Sequence, residues 1–114
     1  MTHDHDKEES LTIFAKDQVK SIHGRSRELN ELLGRDHPAA LIDLIKKHAA
    51  EIEELHVNDD AHCVIETGDL LILCLELIRE KSGNIDSVMM ECYERYHKKL
   101  TGLIAENKRR TRGE

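Results

Sequence analysis

Tryptophan is absent from this chain, and proline and phenylalanine occur once each. With aromatic residues at 3%, only Phe14, Tyr93 and Tyr96 could stack on a nucleotide base. One proline and six glycines are too few for an all-β sandwich or barrel, which needs a turn signal about every ten residues. No apolar run approaches the roughly 18 residues of a membrane span; the longest is Leu70 to Leu75. The opening MTHDHDKEES is acidic and polar, unlike a secretory signal peptide. No CxxC pair links Cys63, Cys74 and Cys92, which read as reduced thiols of a cytoplasmic protein. An excess of basic charge is also lacking. Seventeen Lys and Arg stand against 23 Asp and Glu, a net charge of −6 that disfavours a nucleic-acid partner.

What is present is enough for one domain. The 114 residues can enclose a single core without disulfide staples. At 35% charged and 39% hydrophobic, the chain is polar without the composition of a disordered protein. Residues 1–9 carry acids without apolar periodicity and read as a disordered acidic tail, in which His3 and His5 alternate with aspartates. Residues 10–107 read as one all-α domain. Residues 108–114 form a basic C-terminal tail, a solubilising end rather than a nucleic-acid contact.

Apolar spacing predicts four helices. The first runs from about Leu11 to Leu33, with a weak stretch at Gly24 to Ser26 that invites a kink, and stops at Gly34. The second starts at His37-Pro38, since proline fits the first helical turn, and ends at Asn58-Asp59-Asp60. Its stripe is Leu41, Leu44, Ile45, His48, Ile52 and Leu55, with His48 read as a core histidine. The third spans about Ala61 to Lys81 and is apolar nearly all round, which predicts a central, buried helix. The fourth follows Ser82-Gly83-Asn84, with Asp86 as N-cap and Ile85 and Met90 as a hydrophobic staple, and continues to about Glu106. Four helices with short connections make a bundle of four to five helices. A nearly all-apolar helix leaves surface to cover, which predicts a homodimer or homotetramer, a dimer of dimers.

The chemistry lies in the placement of acids. Glu66 and Asp69 are three apart and share a helical face inside the most apolar stretch of the chain. A charge there is costly unless it is paired or bound to a metal. Glu51 and Glu54, also three apart, flank the stripe of the preceding helix, whereas Glu53 points the other way. Antiparallel packing of these two helices sets the pairs face to face. The resulting repulsion calls for a hard divalent cation, Mg²⁺ or Mn²⁺, held by oxygens. Glu53-x-x-His56 and Glu94-x-x-His97 match the ExxH spacing of di-iron bundles, but Glu53 and His56 lie off the apolar face.

Three elements carry a family resemblance. They are Lys47, Glu51, Glu54 and Leu55 in the pattern K-x-x-x-E-x-x-E-L, then Glu66-Thr67-Gly68-Asp69-Leu70-Leu71, then Gly83-Asn84-Ile85-Asp86 opening a further helix. Over about residues 36 to 100 the chain resembles the MazG-type nucleotide pyrophosphohydrolases of the all-α NTP pyrophosphatase superfamily. The resemblance implies a Mg²⁺-dependent enzyme, with Mn²⁺ as substitute, that splits a nucleoside triphosphate into monophosphate and pyrophosphate. It implies Glu51, Glu54, Glu66 and Asp69 as metal ligands, Glu54 orienting the attacking water, and Glu51 beside it in catalysis. In the family the next helix meets the phosphates through a Lys, an Asn and an Arg. Here Tyr93-Glu-Arg-Tyr-His-Lys-Lys offers Arg95, Lys98 and Lys99, with Tyr96, and has no Asn. Lys47 completes the expected substrate contacts. A phosphoribosyl-ATP pyrophosphohydrolase-like enzyme shares the layout. A catalytically silent helical binding module is the alternative from another class.

Overall fold

The computed structural model describes residues 2–113, with side chains from Asp17 onward. It is all-α: α1 (Thr2–Leu32), α2 (His37–Val57), α3 (Cys63–Ser82) and α4 (Ile85–Thr111), with no strand among the described residues. α1 begins at Thr2, where a disordered tail to residue 9 and a helix from about Leu11 were expected; the side chains of His3, His5, Leu11, Phe14 and Ala15 lie outside the described residues. The chain divides into two units, residues 1–81 and residues 82–114.

In the first unit, local chemistry sets the turns. α1 runs unbroken through Gly24 to Ser26, where a kink was expected. It closes on a Schellman motif: Arg35 N donates to Asn30 O at 2.8 Å and Gly34 N to Glu31 O at 3.2 Å. Gly34 takes φ +67, a conformation that costs a side chain dearly. Asp36 then caps α2, its Oδ2 accepting from Ala39 N at 3.0 Å, and Pro38 sits in the first turn where no N–H is missed. α2 closes in the same way, with Asp60 N donating to Leu55 O and Asp59 N to His56 O. Here the left-handed position is filled by Asp59, at φ 52.

α2 and α3 run antiparallel, as the register of three contacts along them shows. Cys63 Sγ reaches Ile52 O at 3.7 Å, His48 meets Glu66, and His37 stands level with Glu80. The C-terminal half of α3 is tied to α1 by polar bonds. Ser26 Oγ donates to Glu76 Oε1 at 2.8 Å, and His23 Nε2 lies 3.0 Å from Glu80 Oε2.

The core is small. Among the described residues, the buried apolar side chains are Val19, Leu41 and Leu75, one each from α1, α2 and α3. Buried beside them are four polar side chains: His23, Asn30, His37 and Glu76. This corrects the expectation of a wholly buried third helix. Only Leu75 and Glu76 of α3 are buried, while Val64, Ile65 and Leu71 are exposed. A helix with apolar side chains around its whole circumference needs neighbours on every side, and α1 and α2 cover only part of α3.

The second unit is α4 alone. Its N-cap is Asn84, whose Oδ1 accepts from Ser87 N at 3.0 Å, so Asp86 falls in the first turn rather than at the cap expected for it. An acid there still favours the positive end of the helix dipole. No residue of α4 is buried. Met89, Tyr93, Tyr96, Leu100 and Leu103 recur at alternating intervals of four and three and form one exposed apolar stripe. No helix among the described residues is long and apolar enough to cross a membrane.

Candidate functional site

Three of the four predicted acids meet. Glu51 and Glu54 from the last turns of α2, and Glu66 from the first turn of α3, line one cleft of about 300 Å³ with Leu55, Asn58 and His62. The antiparallel α2–α3 pair brings them together, with Asn58 of the connecting turn in the lining. Asp69 is exposed and is absent from the lining, so the fourth predicted ligand does not join the other three.

Glu66 is the most enclosed of the three, its side chain 15% exposed. His62 Nε2 lies 3.4 Å from its Oε1, one turn earlier on the same strand of sequence, and His48 Nε2 lies 3.5 Å from its Oε2. Glu66 Oε2 is buried and has no hydrogen-bond partner. His48 sharpens the point. Its Nδ1 lies 3.0 Å from Leu44 O, and a carbonyl only accepts, so Nδ1 carries the proton. His48 Nε2, 3.5 Å away, makes no hydrogen bond to Glu66 Oε2. A cation between the two atoms would satisfy both.

The donor set fits a divalent cation. One ligating atom each from His48, Glu51 and Glu66 lies within 4.8 Å of the other two. Among the described residues, no Lys or Arg pairs with Glu51, Glu54 or Glu66. Lys47, the nearest predicted substrate contact in sequence, is held 3.1 Å from Asp43 Oδ2 instead. An uncompensated group of carboxylates repels itself, and a bound cation removes the repulsion.

His62 falls on the face of Glu66 by helical spacing but was not assigned to the site, and His48 was read as a core histidine. His48 looked like a core residue because it lies on the apolar stripe; it is half-buried and faces Glu66. The i, i+4 spacing of His62 and Glu66 was the available signal.

The remaining predicted residues lie on α4. Arg95, Tyr96, Lys98 and Lys99 line a shallow groove on one side of that helix, together with Cys92. Tyr93 packs against His97 one turn on, ring centroids 5.9 Å apart. Gly68, within the Glu66–Asp69 run, has nothing within 4 Å of where a Cβ would stand, so no close packing inside the chain demands glycine there.

Comparison with protein-family models, with curated proteins and with solved structures returned no match to this chain.

Proposed function

We propose that the chain is a Mg²⁺-dependent nucleoside triphosphate pyrophosphohydrolase, with Mn²⁺ able to substitute. The observation that supports this best is the convergence of Glu51, Glu54 and Glu66 on one cleft, with a buried oxygen of Glu66 left without a donor. A divalent ion held there would neutralise charge on the phosphates and acidify a water. Glu51 and Glu66 would hold the ion, with His48 beside Glu66. Glu54, exposed at the mouth of the same cleft, orients the attacking water and takes its proton. The water oxygen bonds to phosphorus, the α–β anhydride bond breaks, and nucleoside monophosphate and pyrophosphate leave. Lys47 is the cation of this unit assigned to the phosphates.

The test is pyrophosphate release from a panel of NTPs, dNTPs and phosphoribosyl-ATP in the presence of Mg²⁺. Release by the wild type and its loss in Glu66→Gln support the proposal. No release from any substrate overturns it.

One observation favours a second reading, a helical binding module without catalysis: Asp69 stands outside the cleft. Calorimetry separates the two, because a silent module shows no Mg²⁺ binding that depends on Glu66. Both readings share an assembly. The exposure of Leu32 at 78%, Val57 at 76% and Val64 at 74% in the first unit is what a chain that pairs with copies of itself presents. Light scattering is expected to give a dimer or tetramer, and a 13 kDa species across the micromolar range excludes that assembly.

A further inference from the structure

A second imidazole–carboxylate cluster lies near the other end of α3. His23 from α1, His37 from the first turn of α2 and Glu80 from α3 each bring one ligating atom within 4.8 Å of the others. Both histidines are 7% exposed, and the Glu80 side chain is 13% exposed. The two rings stack with centroids 5.3 Å apart and planes 14° apart. His23 Nε2 and Glu80 Oε2 are 3.0 Å apart. Two ligands each about 2.0–2.2 Å from one ion stand about 3.0–3.5 Å from each other, so this pair already has the separation that a shared ion requires.

His37 supplies the independent observation. Its Nε2 is buried and has no hydrogen-bond partner. Its Nδ1 lies 2.7 Å from the side-chain amide of Asn30. If that amide presents its NH₂, Nδ1 accepts and Nε2 carries a buried proton with no acceptor. If the amide is turned to present its oxygen, Nδ1–H donates and Nε2 offers a buried lone pair with no donor. Either tautomer leaves Nε2 unsatisfied by the protein. The second is the arrangement of metal-bound imidazoles, in which the far nitrogen donates to an oxygen that fixes the ring.

We propose that His23, His37 and Glu80 bind one first-row divalent transition-metal ion. Two nitrogens in three ligands select such an ion over Mg²⁺ or Ca²⁺, which prefer oxygen. The ion ties α1, α2 and α3 at one point and reinforces a unit in which three apolar side chains are buried among the described residues. Arg27 Nη1 lies 3.5 Å from Glu80 Oε2. The Arg27 side chain is half exposed, so it can turn to Glu80 Oε1 or to Glu31, 3.8 Å from its Nε, when the ion binds.

The test uses the full chain, stripped of metal by a chelator and titrated with Co²⁺, then with Zn²⁺ in competition. Glu66→Gln serves as the background, so that the α2–α3 cleft contributes no signal. The expected result is one Co²⁺ per chain, undisturbed by a large excess of Mg²⁺ and carrying two imidazoles by X-ray absorption. His37→Ala and Glu80→Gln on that background should weaken binding at least a hundredfold, and Asn30→Ala about 10–100-fold. If His37→Ala does not fold, the imidazole count in the background protein and the exposed-side substitution Glu80→Gln still decide. Absence of tight Co²⁺ and Zn²⁺ binding overturns the proposal. So does a bound ion with fewer than two imidazoles, or one indifferent to Glu80→Gln.

Discussion

Glu66 and Glu80 stand fourteen residues apart on α3, about 21 Å along the helix axis, and each is approached by two histidines. Around Glu66 the partners are half-buried or exposed, two more carboxylates are close by, and a cleft opens to solvent. Around Glu80 the histidines are buried and stacked, and Asn30 backs one of them. Similar side chains thus have different prospects. An ion proposed for the closed cluster would have its neighbours supplied by protein and serve as a fastening, whereas one proposed for the open cleft would keep positions for a substrate. The difference comes from the layers around them: among the described residues, α1 meets the Glu80 end, and α2 lines the Glu66 end.

The comparison can be broken most directly at Glu66. Glu66→Gln is expected to lower pyrophosphate release at least about a hundredfold, as loss of a charge-stabilising group does, while Asp69→Asn lowers it less than tenfold. Steady-state kinetics on the two variants decides. Equal losses would mean that the cleft described here is not where the reaction runs.

A large effect on stability is expected between the clusters. Leu41, 1% exposed, is one of three buried apolar side chains among the described residues, and Leu41→Ala should cost about 2–5 kcal/mol in chemical denaturation. Near the closed end, Ser26→Ala removes the hydroxyl that donates to buried Glu76 and should cost about 1.5–3 kcal/mol in the same measurement. A loss below about 0.5 kcal/mol would show that Glu76 does not depend on that hydroxyl.

The two turns of the first unit give the smallest and most symmetric contrast. Both close with the same motif, but Gly34 holds the left-handed position in one and Asp59 in the other. Gly34→Ala should destabilise by about 1 kcal/mol, and Asp59→Gly should stabilise by about half that, since glycine also gains freedom in the unfolded chain. Thermal or denaturant melts of the pair read the sign directly.

Much of the fold was legible because it is local. Helical spacing, Pro38 in a first turn, Gly34 after a last one and the Asn58–Asp60 stop all report on neighbours within a few residues. The boundary chemistry that was misread, Asp86 for Asn84, is a choice among adjacent polar residues that only the backbone geometry resolves. The acids of the cleft were legible in part. Glu51, Glu54 and Glu66 declared themselves by spacing and by an apolar setting. Asp69 shared that setting in sequence yet is exposed, because a helix coated with apolar residues has faces its chain does not cover.

The sequence by itself determined four helices, their turns and a concentration of acids on two of them, since these follow from periodicity and from backbone conformations that few residues tolerate. Only the tertiary structure decided which of those acids meet and which histidines face them. His23, His37 and Glu80 come from three helices and are up to 57 positions apart in the chain. No local pattern encodes such a meeting, because it depends on how whole helices pack, and side chains distant in sequence acquire their chemistry only when packing removes the water between them.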